Sequence, residues 1–344
     1  MGTIQDIKSI FTGLSGYQQE QVLEDLLQEH EVQGKVIELA IQELIQERGK
    51  KPCPYCHTDK VYKRGTQKGV QMYQCQSKDC QKWYSETTGT PLWDIKHKSK
   101  WQSYLRCMEQ GMTLKAIAKE LKISIQTSFD WRHKILSSLN KFVPETLSGT
   151  VESDEFEIAL SNKGHRNLER KARKRGTDFK RNKEDEITVV QVVTAIERGG
   201  GETYLKAVES KRLTTQEITK AFDGKLAEGT VLITDSHNSY KSFVKENPNL
   251  KHKTFIAKDH INKEDKKIHV QGVNNKHKKL KQFLTPFNGV SSKYLQNYLN
   301  WFAYADKLRE TKHTIKQWVI GGLRADNSYE LFLLFKQNAV NIRI

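Results

Sequence analysis

The chain has 344 residues, 28% of them charged and 36% hydrophobic, and a net charge of +16, so it is long enough for two or three domains with at least one sizeable core. Its longest apolar runs, such as TVVQVVTAI, are too short and interrupted to cross a bilayer, and MGTIQDIKSIFTGL lacks the segments of a secretory leader; a soluble, cytoplasmic protein without a membrane partner is expected. The charge suits a polyanion partner, nucleic acid first, although solubility alone would also produce it.

Residues 1–50 read as a helical region. Leu23, Leu26, Leu27, Val36, Ile37, Leu39, Ala40, Ile41, Leu44 and Ile45 recur at roughly helical spacing. Pro52 breaks that pattern. Residues 51–90 then carry four of the five cysteines. Cys53 and Cys56 form one knuckle, and Cys75 and Cys80 a second, with strand-like KVYKRG and QMYQC between them. Clustering of this kind favours metal over disulfide in a cytosolic chain. Four thiolates on hairpin ends suit tetrahedral Zn2+ in a closed, structural zinc ribbon. His57 follows Cys56 directly and is not expected to be a ligand. Cys107 falls in a helical run and reads as a core thiol.

Residues 95–142 are expected to form a helix-turn-helix. Gly111 ends one helix, Thr113 caps a second and Ser124 a third, with KIS as the tight turn. Ile123, Thr127, Trp131 and Ile135 mark the buried side of the last helix. Gln126, Ser128, Arg132 and His133 would then face outward toward DNA. An ordinary helical hairpin has the same outline, and the upstream ribbon favours DNA.

Pro144 and TLSG mark a boundary, after which strands alternate with helices. GTVESDEFEIAL reads as a strand, and EITVVQVVTAIERGG with GETYLKAVES as a hairpin. TTQEITKAFDGKL is a helix opened by a Thr214–Glu217 capping box. TVLITD and HKTFIAK are strands; 270–284 and 292–309 are helices. Three antiparallel strands, then helix, strand, helix, strand, helix predicts a ribonuclease-H-like mixed sheet over residues 148–312. A C-terminal tail, 313–344, follows. The predicted class is thus multidomain α/β.

In that topology Asp154 and Asp235 converge from neighbouring central strands. Two hard carboxylates can hold Mg2+ or Mn2+, with water and phosphate oxygens completing the shell. Asp235 taken alone could equally cap the next turn. Glu152 shares the face of Asp154 by alternation, and Glu155 points the other way. Residues 162–183 carry ten Lys or Arg against two acids. In this loop Arg170, Lys171, Arg173, Lys174 and Arg175 are candidate phosphate contacts.

The four-cysteine ribbon, the helix-turn-helix, VESDE, TDSHNSY and HVQGVNN occur in this order. Together with GVSSKYLQNYLNWFAYAD they resemble the zinc-ribbon DDE transposases of bacterial insertion sequences, the group related to eukaryotic Merlin elements. The resemblance spans roughly residues 50–310. It implies binding of double-stranded DNA at terminal inverted repeats, then cleavage by water and strand transfer to target DNA by a 3′-hydroxyl. It also implies a homo-oligomer on DNA, associated with the bacterial nucleoid. Asp154 and Asp235 match the first and second catalytic positions. The third, usually Glu, matches Asn274, with Lys281 seven residues on and on the same helical face. The resemblance makes Asn274 a neutral metal ligand and Lys281 a phosphate contact; their spacing alone fits a helix-start cap and a solvated face. His269 and His277 could line the DNA path. FEIALSNKGHRN departs from the Gly-rich turn of relatives. The alternative function is a DNA-binding regulator derived from a transposase whose catalytic domain has decayed.

Overall fold

The computed structural model describes residues 4–16, 18, 19, 22, 52–67, 70–85, 87–93, 95, 97, 100–164, 189–208, 210, 212–259 and 261–311. Within the expected N-terminal helical region, α1 spans Ile4–Thr12; the apolar positions from Leu23 to Ile45 lie outside the described residues.

The cysteine segment folds as a three-stranded antiparallel sheet of β1 (Val61–Gln67), β2 (Val70–Cys75) and β3 (Trp83–Ser85). The third strand is short and carries no alternation long enough to signal itself in sequence. Among the described residues its core is Cys53, Tyr73, Cys75 and Tyr84, with Val61 and Cys80 packed against them and the two tyrosine rings stacked at 5.4 Å. So small a cluster needs a further cross-link to hold a fold.

Three helices follow: α2 (Trp101–Glu109), α3 (Leu114–Glu120) and α4 (Ile125–Ser138). Thr113 caps α3 through the Ala116 N–H, and Ser124 caps α4 through the Thr127 N–H. Lys122, at φ 51°, makes the turn between them. The outward face expected of α4 is not there. Ser128, Arg132 and His133 are all buried, and only Gln126 of the four is exposed. The reason is packing on more than one side. Ser128 Oγ donates to the Leu114 carbonyl on α3 at 3.1 Å. Arg132 donates to the Met112 carbonyl at 2.6 Å, and its guanidinium lies over the Phe287 and Trp301 rings. His133 packs on Tyr294 at 4.7 Å. A single buried cluster joins α2 and α4 to Phe287, Tyr298, Trp301 and Tyr304 from the C-terminal part of the chain.

The second sheet runs β4 (Thr150–Ala159), β5 (Val189–Glu197), β6 (Thr203–Val208), α5 (Thr215–Ala221), β7 (Val231–Asp235), α6 (Asn238–Glu246), β8 (Lys251–Phe255), α7 (Gln271–Leu284) and α8 (Ser292–Thr311). The strand order is β6-β5-β4-β7-β8. β4, β5 and β6 pair antiparallel, whereas β7 joins β4, and β8 joins β7, in parallel. This is the ribonuclease-H-like mixed sheet. Gly199 and Gly200 turn the β5–β6 hairpin at φ 87° and 84°, values only glycine adopts readily. The capping box of Thr214 and Glu217 opens α5.

Helices cover both faces. Ile218 of α5 and Tyr240 and Phe243 of α6 pack on Val151, Val193 and Leu232. On the other face Leu280 of α7 and Leu295, Leu299 and Phe302 of α8 pack on Val190, Val192 and Leu205. Burial on both faces explains why β5 reads VVQVVTAI instead of alternating. Among the described residues, no helix is long and apolar enough to cross a membrane.

Candidate active site and thiol cluster

Strand alternation decides which side chains of β4 meet. Ser153 reaches the Tyr240 hydroxyl on the α6 face. Glu152 and Phe156 face α7: the first accepts from the Gly272 N–H and the second packs on His277 at 4.5 Å. Asp154 lies between them on that same face. On β7, Leu232 belongs to the α6 side and Ile233 packs with Val273 of α7. Asp235, two residues beyond Ile233, therefore shares the α7 face. The parallel register aligns Thr150 with Val231, Val151 with Leu232 and Glu152 with Ile233. Two steps further along each strand stand Asp154 and Asp235. Both are partly exposed, Asp154 midway along β4 and Asp235 at the end of β7.

Burial, then the charges of Glu155 and Asp235, push the Asp154 carboxyl from an ordinary 3.8 up to about 7. Asp235 Oδ1 also accepts the His237 N–H at 3.0 Å. The turn-capping role is therefore real and occupies one lone pair, leaving the second oxygen for other work. Two carboxylates whose ionisation is costly together are the donor set a divalent cation fits.

The pH dependence follows from Asp154. The unfolded chain releases this proton near pH 3.9, and the folded chain near 7. Between those values the folded state holds the extra proton, so its stability declines as pH rises toward 7 and stays low above. The displacement is worth at most about 4 kcal/mol, and partial exposure reduces it to about 1–2 kcal/mol. Asp154→Asn is therefore expected to stabilise the metal-free protein at pH 8 by that amount, measured by urea unfolding. No gain at pH 8, or an equal gain at pH 4, would contradict the strain at Asp154.

Asn274 and Lys281 both lie on α7, exposed on the stretch that faces β4. The Lys281 ammonium sits 5.2 Å from the Phe156 ring centroid, two residues past Asp154. His277 is not on an open DNA path: it is buried against Phe156, and burial pushes it down to about 4. His269 is held by Arg198, whose guanidinium meets its ring and its carbonyl.

Sequence reasoning left Glu152 without a role. Its Oε2 accepts the Gly272 and Val273 N–H groups at 2.8 and 3.2 Å, and its Oε1 meets Arg198 Nε at 2.7 Å. This carboxylate caps the start of α7 and so fixes where Asn274 stands. A Cβ at Gly272 would fall 2.9 Å from Glu152 Oε2 and 2.6 Å from Ile196 Cδ1. Gly272 is the mark of this close approach that the sequence did carry. Gly272→Ala should cost about 1–3 kcal/mol through overpacking. Glu152→Ala, which strands Arg198 and two helix N–H groups, should cost about 3 kcal/mol. Chemical denaturation checks both, and wild-type stability in each would show that the cap does not hold α7.

In the ribbon, the Sγ atoms of Cys53, Cys56, Cys75 and Cys80 all lie within 4.8 Å of one another. Cys53–Cys80 and Cys56–Cys75 are 3.8 and 3.4 Å apart. Tetrahedral thiolates about 2.3 Å from Zn2+ stand roughly 3.8 Å from each other, so the cluster fits that ion. His57 and Gln81, each directly after the second cysteine of a knuckle, take left-handed φ values of 60° and 47°. His57 thus serves the turn, and the cluster does not include it. Burial pushes the Cys75 thiol up to about 12 and raises Cys53, a cost that a bound cation removes. Among the described residues, this is the one group of three or more His, Cys, Asp or Glu close enough to share an ion. Arg170, Lys171, Arg173, Lys174 and Arg175 lie outside the described residues.

Comparison with solved structures finds distant likenesses. A chain of the simian T-cell lymphotropic virus intasome in complex with PP2A regulatory subunit B56 gamma is 11% identical, at TM-score 0.29, with 58% of this chain and 66% of that chain covered. The Mos1 transposase paired-end complex with left transposon end is 10% identical, at TM-score 0.28, with 70% and 77% covered. No curated protein matches. Residues 146–306 match the family model of the ISXO2-like transposase domain. The matched segment contains the five-stranded sheet and both Asp154 and Asp235.

Proposed function

We propose that the chain is an insertion-sequence transposase that binds terminal inverted repeats and catalyses metal-dependent DNA strand cleavage and strand transfer. One observation carries the proposal: Asp154 and Asp235 stand at one level on adjacent parallel strands, facing the helix with Asn274 and Lys281. The two carboxylates would hold Mg2+ or Mn2+, and the Asn274 amide oxygen would add a neutral ligand. Bound metal would activate the attacking oxygen and neutralise charge on the leaving one. Lys281 would hold a phosphate as a point charge. Water attacks the phosphodiester and leaves a 3′-hydroxyl; that hydroxyl then attacks a target phosphodiester, displacing the next 3′-oxygen. Two ends must meet for joining, so a homo-oligomer on DNA is part of the proposal.

The DNA interface we propose differs from the sequence expectation. Gln126 remains available on α4, with Lys115, Lys119 and Lys122 exposed nearby. On the ribbon, Arg64 lies over the exposed rings of Tyr62 and Trp83, a cationic and aromatic face suited to a nucleic-acid backbone. Zn2+ would hold that face in shape.

The neutral Asn274 favours a second reading, a regulator that binds DNA without cutting it. An in vitro cleavage assay on the natural element ends with Mg2+ or Mn2+ separates the two. Cleavage by wild type supports the enzyme; repeat binding without cleavage supports the regulator. Asn274→Ala is expected to weaken metal binding roughly tenfold and leave DNA affinity unchanged. Unaltered metal binding would remove Asn274 from the ligand set.

A further inference from the structure

A second site lies at the far end of α7 from Asn274. Asn274 and Phe287 are separated by most of that helix, roughly 20 Å at its rise per residue. A cleft of about 800 Å³ opens there between α3, α4 and the turn that leads into α8, within the roughly 300–1,000 Å³ typical of small-ligand sites.

Its chemistry is one-sided. Lys115, Arg132, Lys163 and Lys293 line it, and among the described residues no Asp or Glu does. The rings of Phe129, Phe287, Tyr294 and Tyr298 form much of the wall. Two buried polar atoms on this lining, Arg132 Nε and Ser291 Oγ, have no hydrogen-bond partner among the described residues. Buried polar atoms of this kind call for an occupant that can satisfy them. Burial lowers the Lys293 ammonium, an unfavourable state that an anion relieves. Lys163 Nζ ties the floor together, donating to the Phe287 and Gly289 carbonyls at 2.9 Å each. The cleft also sits at the positive end of the 20-residue α8.

We propose that this cleft binds a nucleotide, its base against the aromatic wall and its phosphate against the lysines. Every base has a face that stacks on such rings, and the cations supply phosphate contacts without reading sequence. The nucleotide belongs either to an unpaired stretch of bound DNA or to a free nucleoside monophosphate, and both present the same groups. The proposal does not depend on the metal site.

The test uses the full chain and a short oligothymidylate carrying one 2-aminopurine, with dAMP and a blunt duplex as further probes. Quenched 2-aminopurine emission on binding is expected. Tyr294→Leu, which keeps apolar bulk, should weaken the quenched complex roughly tenfold and leave duplex affinity unchanged. Lys115→Ala removes an exposed cation without disturbing the core, and should weaken it several-fold. Binding of dAMP that competes with the oligonucleotide supports a nucleotide site open to free ligand; quenching without dAMP binding assigns the site to a strand. Quenching that is absent in wild type, or unchanged in both folded variants, overturns the proposal. The probes carry no element-end sequence and need no cleavage, so this outcome is independent of the transposase reading.

Discussion

Asp154→Asn and Asp235→Asn are each expected to lower strand cleavage by on the order of 10³-fold or more, with binding to the element ends retained. Asp154 is pressed by burial and by the carboxylates of Glu155 and Asp235. The amide of Asn is nearly isosteric and keeps the strand, but it removes one of the two anionic donors on this face. A barrier increase of about 4 kcal/mol corresponds to that loss of rate, a modest share of what a metal contributes to phosphoryl chemistry. Binding should survive because the proposed contacts of the ribbon and α4 lie on other elements. Radiolabelled-end cleavage and gel-shift assays on the same preparations check both parts. Full activity in either variant would exclude the pair from catalysis.

Cys75→Ser is expected to abolish the ribbon as a folded unit. Zinc content should fall from about one ion per chain to nearly none. Among the described residues the ribbon has little else to hold it: a cluster of four buried side chains, two of them cysteines of the site. Cys75 is also the point where β2 meets the second knuckle, its Sγ accepting the Ser77 N–H at 3.4 Å. Loss of the sheet removes the surface of Tyr62, Arg64 and Trp83, so DNA binding should weaken with it. Hydrogen exchange separates this from general unfolding: amides of β1 and β2 should lose protection while those of β5 keep it. Undiminished zinc content and ribbon protection would contradict a four-thiolate site.

Strong local patterns carried most of the fold. The knuckles, the caps at Thr113, Ser124 and Thr214, and the strand–helix order behind the five-stranded sheet were all legible, because each rests on residues close in sequence. The placement of Asp154 and Asp235 on neighbouring parallel strands was legible through that order. What failed was burial on α4. Periodicity identifies one buried side of a helix, and α4 packs on α2, α3 and α8 together, so Ser128, Arg132 and His133 are interior. Such packing depends on Tyr294 and Tyr298, more than 150 residues away in the chain. Glu152 escaped for a similar reason. Its partners are Arg198, Gly272 and Val273, and only the folded chain brings them together.

In the proposed mechanism Asp154 and Asp235 together hold the divalent metal. Calorimetric titration of Mn2+ into the full-length, zinc-loaded protein tests it most directly, with wild type, Asp154→Asn and Asp235→Asn compared above pH 7, where Asp154 is ionised. The account predicts saturable binding in wild type that weakens at least about tenfold in each variant and weakens in wild type as pH falls below 7. Equal Mn2+ affinity in all three proteins would contradict it.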